Sequence, residues 1–301
     1  MKFSIIGRRY WFFALSLLII LPGLFSIVTQ GFNLGIDFTG GTLFDLKFAK
    51  PVTVSQVRDV LKDHKLENSV IQLAAAEKTD ASPNVFIRTH VLSETERKAV
   101  MDDFTAKIGK YDIMRIEKVG ATIGSEMARE AIIALVLSWL VIIAYVSYRF
   151  EYRFGVSGII ALIHDVFVVL GIFSILQKEI DASFVAALLT IVGYSINDTI
   201  VIFDRIRENM KSMKKGETLG EMVDRSIWQT MARSIYTVLT VLFATGALFF
   251  LGGDTTKNFS LALLIGFTSG MYSSIFNASP IWFMWKERDE RKRLAHRTRP
   301  A

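Results

Sequence analysis

Six long apolar blocks constrain the fold of this chain more than any other feature of its sequence. A helix rises 1.5 Å per residue, so about 20 apolar residues cross the hydrocarbon core of a bilayer. The blocks are Trp11–Gln30, Ala131–Ser147, Val156–Leu176, Phe184–Phe203, Ile235–Leu251 and Phe259–Trp282. Hydrophobic residues make up 51% of the 301 residues, and mean hydropathy is +0.37. The chain is therefore predicted to be a polytopic α-helical membrane protein with six transmembrane helices.

Positive charge is concentrated at one end of each block. The basic segments are residues 1–10, the loop containing Arg149 and Arg153, residues 204–233 and residues 283–301. The opposite short loops, "QKEIDAS" and "GGDTTKN", each hold a single lysine. By the positive-inside rule, both termini are expected in the cytoplasm. The net charge of +6 then serves orientation, with contact to anionic lipid headgroups or ribosomal RNA as an alternative use of the tail. No nucleic-acid partner is expected.

The chain contains no cysteine. Disulfides, thiolate metal sites and cysteine nucleophiles are therefore excluded, and no metal or cofactor is expected. The block Trp11–Gln30 is too long for the apolar region of a signal peptide and has no small-x-small cleavage site. It is predicted to be an uncleaved membrane anchor.

Residues 31–122, between the first two blocks, have the pattern of a folded α+β domain outside the cytoplasm. The segments "TLFDLKF", "SVIQLAA", "NVFIRTHV" and "YDIMRIEKV" are predicted strands, the second and third joined by the polar turn "EKTDASP". With one helix after the first strand and one after the third, the order is β-α-β-β-α-β. This is the split pattern of a ferredoxin-like sandwich.

Each predicted helix of this domain carries one apolar stripe. The first stripe is Val54, Val57, Val60 and Leu61, and the second is Ala99, Val100, Phe104 and Ile108. Ser93 and Glu96 have capping-box spacing at the start of the second helix. The lone histidines, His64 and His90, are expected at the surface. Because the domain lacks metal-ligand spacing and a nucleophile beside a base, it is predicted to bind and not to catalyse.

The fourth apolar block contains an aspartate, Asp198, whose placement in hydrocarbon costs several kcal/mol. At 100° per residue, a polar stripe lies opposite Ala187, Ile191 and Ile202. The stripe consists of Thr190, Tyr194, Asn197, Asp198, Asp204 and Arg205. This stripe is predicted to face other helices or trapped water, with Asp204 and Arg205 at the cytoplasmic interface.

Three other blocks carry matching polar or small residues. The third block has Ser157, Gly158, His164, Asp165 and Gly171; the fifth begins near Arg233, Thr237 and Thr240; the sixth has Gly266, Gly270, Ser273 and Ser274. The small residues of the sixth block are expected to permit close helix packing.

Asp198, Arg233, Asp165 and His164 make a proton relay plausible. Burial favours the neutral form of a carboxyl group, and a nearby guanidinium favours the ionised form. Approach and withdrawal of Arg233 would then let Asp198 take up and release a proton. The alternatives are a purely structural Asp198–Arg233 pair and a structural His164–Asp165 pair.

Several motifs together resemble one known family. They are "GIDFTGGTLFDL", "VGATIGSEMAREAI", "HDV" in the third block, "GYSINDTIVIFDRIREN" and "RSIYTVLT". This combination resembles the SecD/SecF family of the bacterial Sec export machinery, within the resistance-nodulation-division superfamily. The family commonly has "VGPSVG" where this chain has "VGATIG", which affects no functional residue.

The resemblance implies roles for particular residues. Asp198 corresponds to the family's proton-carrying aspartate, Arg233 to an arginine implicated in proton use, and His164 and Asp165 to a third-span motif. Asp37 belongs to the family signature near the first span, together with Gly35, Gly40 and Gly41. We expect these glycines to permit tight turns and Asp37 to cap or hydrogen-bond them.

The resemblance also implies a function and partners. The chain would lie in the bacterial inner membrane, pair with SecD and act beside the SecYEG channel, with YajC and YidC as further partners. It would use the proton-motive force to help unfolded preproteins finish crossing. It would not be an enzyme.

Three alternatives compete with this interpretation. A small-molecule proton antiporter of the same superfamily would need larger outer domains. An intramembrane aspartyl protease would need Asp165 and Asp198 to share a proton, and the GxGD signature is absent. A scaffold without proton coupling would require no change of Asp198 protonation.

Overall fold

The computed structural model describes residues 3–73 and 84–297 of the chain. The helices are α1 (Arg9–Gln30), α2 (Ile36–Thr39), α3 (Val54–Lys62), α4 (Glu94–Lys107), α5 (Ala121–Arg149), α6 (Tyr152–Ile175), α7 (Ala182–Lys211), α8 (Leu219–Leu251), α9 (Asp254–Ser273) and α10 (Ser279–Arg297). The strands are β1 (Asn33–Leu34), β2 (Gly41–Phe48), β3 (Val70–Leu73), β4 (Asn84–Thr89), β5 (Tyr111–Val119) and β6 (Glu179–Ile180). A 3-10 turn, Ile6–Arg8, precedes α1, and a π-helical segment, Ser274–Ala278, joins α9 to α10. The chain divides into two compact units, residues 1–33 with 133–301 and residues 34–132.

Within the described residues, six helical stretches are long and apolar enough to cross a membrane, as predicted. The helices extend well beyond the apolar blocks, however. α7 continues to Lys211 and α8 begins at Leu219, so the connecting loop is residues 212–218 and not the predicted 204–233. Polar helical turns persist here because Thr218 and Glu221 form a capping box at the start of α8, which satisfies otherwise unpaired backbone donors.

The core of the membrane unit is aromatic at the end of the bundle where α6 begins. Trp282 is fully buried and stacks on Phe154 with 4.6 Å between ring centroids. Phe154 also lies 4.8 Å from the ring of Phe203. Stacked and tilted aromatic pairs add to area burial, so they fix α6, α7 and α10 against one another.

Glycine permits the closest helix contacts of this unit. A Cβ on Gly23 of α1 would lie 2.7 Å from the Cα of Gly171 of α6, so these two backbones touch. On α9, a Cβ on Gly266 would lie 2.2 Å from Ile191 and one on Gly270 would lie 2.9 Å from Ser195. The packing role predicted for the small residues of the sixth block is confirmed for these two glycines.

The second unit contains a four-stranded antiparallel sheet in the order β3-β4-β2-β5. Together with α3 after β2 and α4 after β4, this is the ferredoxin-like arrangement that the sequence predicts. The two helices cover the sheet face that carries Phe44, Leu46 and Phe48. The predicted turn "EKTDASP" lies outside the described residues.

Two predicted stripes are partly wrong at their margins. Val57, Val60 and Leu61 are buried, but Val54 is 36% exposed because it is the first residue of α3. Ala99 is exposed on α4, where the core-facing residues are Val100 and Phe104.

The closing strand β5 follows the prediction only in part. Ile116 packs on the core, whereas Ile113 is 52% exposed. A register shift opposite Asp45 and Leu46 inserts one extra residue into β5. The shift places Ile113 opposite the buried Leu46 and therefore does not explain why Ile113 is exposed.

Candidate functional site in the membrane unit

Asp198 lies on the buried side of α7, with 8% of its surface exposed. Its Oδ1 accepts a hydrogen bond of 2.7 Å from the hydroxyl of Ser234 on α8. Its Oδ2 is buried and has no hydrogen-bond partner among the described residues. One carboxylate oxygen is thus held by a neutral donor, and the other remains available to a proton or a water molecule.

Arg233 approaches this carboxylate without pairing with it. Among the described residues, no ion pair within 4.0 Å joins Arg233 to an acidic group. Instead, Arg233 and Asp198 line one small cavity of ≈ 30 Å³, together with Tyr194, Asn197, Val201 and Thr237. This volume is enough for one water molecule with several polar neighbours. The structural ion pair considered from the sequence is therefore not formed in this structure.

A larger cavity continues from the small one toward the end of α7. It has a volume of ≈ 280 Å³, and Val201 and Arg233 line both cavities. The larger cavity reaches Glu208, which is ten residues, or about 15 Å, along the helix from Asp198. Because Val201 and Arg233 line both, the two cavities lie side by side, and the larger one extends toward the loop 212–218.

Only part of the polar stripe predicted on α7 packs within this chain: Asp198 and Tyr194 form hydrogen bonds to α8. Thr190 and Asn197 are exposed, whereas Ala187, Ile191 and Ile202 on the other side are fully buried. Sequence alone does not separate these faces, because a helix in a membrane packs as readily through apolar residues as through polar ones. Asp198 is buried because it lies at the margin of the stripe, toward α8.

The threonines predicted to support the site on α7 and α8 form hydrogen bonds within their own helices. The hydroxyls of Thr190, Thr237 and Thr240 donate to carbonyls three or four residues earlier, at 2.8 to 2.9 Å. The Tyr194 hydroxyl instead bonds to the neighbouring helix, where it donates to the carbonyl of Thr237 on α8 at 2.7 Å. The three threonines therefore provide no direct relay to Asp198.

Asp165, on α6, is completely buried and saturated with donors. The hydroxyls of Ser195, Ser269 and Ser273 donate to its carboxylate at 2.7, 2.7 and 2.8 Å. His164 Nδ1 lies 3.0 Å from its Oδ1. This carboxylate connects α6 to α7 and α9, and no further acceptor site is open to a mobile partner.

One ring nitrogen of His164 contacts Asp165, and the other has no hydrogen-bond partner among the described residues. Its Nε2 is buried and lacks a partner among the described residues. The imidazole ring lies 6.0 Å from the ring of Tyr272, whose hydroxyl donates to the carbonyl of Phe12 at 2.7 Å. The predicted contact between His164 and Asp165 is present, inside a network anchored on three helices.

Asp165 and Asp198 belong to different hydrogen-bond networks. Asp165 is held by α7 and α9, and Asp198 is held by α8. No hydrogen bond among the described residues joins the two carboxylates, so they do not form the proton-sharing pair of an aspartyl protease. They are linked only through α7, where Ser195 precedes Asp198 by three residues.

Asp204 and Arg205, placed at the interface by the sequence, form local ion pairs. Asp204 accepts from Arg207 at 2.6 Å, and Arg205 lies 3.2 Å from Glu208. Both are i to i+3 pairs on α7, and such exposed pairs contribute little to stability.

The serines that donate hydrogen bonds to the two aspartates were not predicted from the sequence. Ser195, Ser234 and Ser269 were not singled out, and Ser273 was interpreted as packing. A weak signal existed, because Ser234 follows Arg233 directly and Ser269 and Ser273 are one helical turn apart. Serine is also common in membrane helices as a packing residue, so this signal is not specific. No group of three or more His, Asp or Glu side chains that could hold a metal ion occurs within the described ranges.

In the other unit, the glycine pair of the "GIDFTGG" motif is sterically required. Gly40 has φ +70° and Gly41 has φ +137°, a region that favours glycine. A Cβ on Gly41 would lie 2.3 Å from the carbonyl oxygen of Thr89. Gly35, in contrast, has φ −71°, and Asp37 lies in the first turn of α2 and not at its N-cap. The chain turns at Gly35 as well, since its carbonyl accepts from the N–H of Phe38 at 3.1 Å, but only Gly40 and Gly41 have a φ that favours glycine.

The fold and this site define a multi-pass membrane protein with ionisable groups buried among its helices. Residues 100–288 match the family described as "Protein export membrane protein SecD/SecF, C-terminal". Residues 25–52 match the "SecD/SecF GG Motif". The chain therefore belongs to the SecD/SecF family of protein-export membrane proteins.

Curated relatives agree with this assignment over almost the full length. "Protein translocase subunit SecF" of Acidaminococcus fermentans is 50% identical over 291 residues, which cover 96% of this chain and 99% of the relative. The protein of the same name from Thermobaculum terrenum is 41% identical, over 99% of this chain and 98% of the relative.

Solved structures show the same fold. The crystal structure of SecDF, a translocon-associated membrane protein from Thermus thermophilus, superposes with a TM-score of 0.87 at 37% identity over 95% of this chain. A SecDF structure in a "Super-membrane-facing form" gives a TM-score of 0.73 at 37% identity over 98% of this chain. The chain spans 39% and 40% of the length of these SecDF chains.

Proposed function

We propose that this chain is a proton-driven subunit of the Sec export machinery, in which Asp198 carries the proton. The observation that carries the proposal is the state of the Asp198 carboxyl group. It is buried between two helices, holds one neutral hydrogen bond from Ser234, leaves Oδ2 without a partner and faces a cavity that Arg233 also lines. A carboxyl group in such a place changes its charge at modest free-energy expense only if a proton or a cation can reach it.

The arrangement supports a simple cycle. When Arg233 moves toward Asp198 across the shared cavity, it stabilises the carboxylate and favours proton release; when it withdraws, burial favours proton uptake. The membrane potential supplies about 2.3 kcal/mol per charge per 100 mV. That free energy is enough to shift a two-state arrangement of α7 and α8 severalfold or more.

Asp165 has a structural part in this cycle. Its four hydrogen-bond contacts connect α6, α7 and α9. These three helices therefore keep their relative positions while α8 moves. His164, whose Nε2 is free of partners among the described residues, is the member of this pair that can exchange a proton.

Membership of the family supports the proposed partners and orientation. The chain pairs with SecD, since the SecDF relatives combine both parts in one longer chain. The exposed Thr190 and Asn197 on α7 then face SecD and not lipid. Both termini are cytoplasmic, the ferredoxin-like unit lies outside the cytoplasm of a bacterial inner membrane, and SecYEG, YajC and YidC are the neighbouring components. The outer unit holds an unfolded preprotein and prevents its return.

The decisive experiment is proton flux and preprotein export in vesicles that contain the chain with SecD. Asp198→Asn is expected to assemble normally and to lose the export that depends on an imposed proton gradient. The control is Glu287→Gln on α10, whose carboxylate is paired with Arg291 at 2.8 Å and lines neither cavity; this control is expected to behave as wild type. If Asp198→Asn exports normally across a range of gradients, the chain is a scaffold without proton coupling.

A further inference from the structure

The larger cavity of the membrane unit has features that proton passage does not explain. It has a volume of ≈ 280 Å³ and lies between the ends of α5 and α7 and the first half of α8. Its charged lining residues are Arg149, Asp204, Arg205, Glu208 and Arg233. A water-filled channel needs no set of three arginines.

The charges of this cavity do not balance. Glu208 forms an ion pair with Arg205 at 3.2 Å, and Asp204 forms one with Arg207 at 2.6 Å. Arg149 and Arg233 form no ion pair within the described part of the chain, and both are exposed. Among the described residues, the cavity therefore has two guanidinium groups with no carboxylate within 4.0 Å, although Arg233 also lines the small cavity of Asp198.

The side chains near the cavity also follow the order typical of a membrane–water interface. Arg149 is the last residue of α5, the helix whose residues Leu140 and Val141 are 58% and 60% exposed. Tyr145, another lining residue, is 58% exposed, and Phe150 lies beneath the guanidinium of Arg207 at 4.9 Å. Exposed aliphatic residues followed by aromatic residues and then arginine mark the passage from hydrocarbon to headgroups.

We infer that this cavity binds the phosphate group of an anionic phospholipid through Arg149 and Arg233. Arginine binds phosphate oxygens in a bidentate manner, and basic pockets between membrane helices accept anionic headgroups. The acyl chains lie along the exposed face of α5, which gives a lipid more contact than free phosphate would have. The lipid site shares Arg233 with the proposed proton site, so the experiment changes Arg149 and measures binding without proton transfer.

The test is native mass spectrometry of the purified full chain, titrated with phosphatidylglycerol and, separately, with phosphatidylcholine. Phosphatidylglycerol is expected to bind tighter, and Arg149→Gln is expected to weaken it about fivefold, since one basic group near the surface contributes about 1 kcal/mol. Glu208→Gln removes a competing carboxylate and is expected to tighten binding. The control is Lys215→Gln in the loop 212–218, which removes the same charge away from the cavity lining and is expected to change the affinity less than twofold.

A parallel titration with inorganic phosphate separates the two sources of the same phosphate chemistry. Weak phosphate binding, with phosphatidylglycerol retained in its presence, supports the lipid. The lipid assignment is overturned if inorganic phosphate binds with the same dependence on Arg149 and displaces phosphatidylglycerol. It is also overturned if phosphatidylglycerol binds Arg149→Gln and wild type equally.

Discussion

The hydroxyl of Ser234 donates to Oδ1 of Asp198 at 2.7 Å, while the neighbouring Arg233 lines the cavity beside the same carboxylate. Two consecutive residues of α8 therefore place a neutral donor and a cation beside one acidic group. Ser234 is fully buried and holds the carboxylate in place whichever position Arg233 takes. This division of roles makes Ser234 a positioning residue of the proposed proton site.

Ser234→Ala is expected to lower proton flux several-fold and to destabilise the α7–α8 contact. The reason is that a hydrogen bond to a charged group contributes about 1.5–3 kcal/mol. The measurements are flux in vesicles and the thermal unfolding midpoint. Ser138→Ala is the control, because the Ser138 hydroxyl donates only to the carbonyl of Leu135 in its own helix. Wild-type flux together with a wild-type midpoint in Ser234→Ala would refute the positioning role.

Asp165→Ala is expected to destabilise the membrane unit strongly, by about 2–4 kcal/mol, since it leaves three buried serine hydroxyls and His164 Nδ1 without their acceptor. Asp165→Asn keeps one acceptor oxygen but turns an NH₂ donor toward other donors, so an intermediate loss is expected. Thermal unfolding in detergent measures both. Asp59→Ala, at an exposed i to i+3 pair with Lys62, is the control and should change stability by less than about 1 kcal/mol. Equal midpoints for Asp165→Ala and wild type would contradict the network.

Gly23→Ala is expected to destabilise the contact between α1 and α6 by about 1–3 kcal/mol. The added methyl group would lie 2.7 Å from the Cα of Gly171, so the helices must separate. Gly246→Ala on α8 is the matched change, since a Cβ there has no atom within 4 Å, and it should be neutral or stabilising by up to about 1 kcal/mol through helix propensity. Unfolding midpoints that shift alike in the two variants would refute the close crossing.

The ferredoxin-like unit is expected to lose protection at acid pH through Asp103. Hydrogen bonds, first from Lys107 and then from His64, lower the pKa of Asp103 below its ordinary value. Because the folded pKa is depressed, the stability that this group contributes is present above the unfolded value of about 3.9. That contribution is lost as pH falls through the folded pKa.

The measurement is amide hydrogen exchange of α3 and α4 in the full chain at pH 6 and pH 3, corrected for the intrinsic rate. Asp103→Asn should reduce the difference between the two pH values. Asp102→Asn, one position earlier and without a salt bridge in the described structure, should retain it. An acid response that Asp103→Asn leaves unchanged would show that other groups control it.

Much of the fold was predictable because it depends on local pattern. Runs of about 20 apolar residues identify the six spans whatever their neighbours are. Period-two and period-3.6 patterns gave the β-α-β-β-α-β order of the outer unit. The helix ends were not predictable in this way, because α7 and α8 continue past their apolar blocks on capping and local ion pairs.

The site was predictable in its charged members and not in its hydrogen-bond partners. Asp198, Asp165 and His164 stand out because ionisable groups are rare in membrane spans. Ser234 and Ser195 do not, since serine is an ordinary residue there. Which residues of α7 pack within this chain was not predictable, because lipid tails and helix interiors are equally apolar and give the two sides no distinguishing signal.

The sequence by itself determined that this chain crosses a membrane six times, carries one α+β unit and places two aspartates within membrane-spanning segments. Those properties follow from the transfer free energy of each segment, which depends on composition. Only the tertiary structure decided that Asp165 is saturated by serines of α7 and α9 while Asp198 keeps one oxygen open beside Arg233. The partners of a buried carboxylate come from distant parts of the chain, and their positions are fixed by how the helices pack.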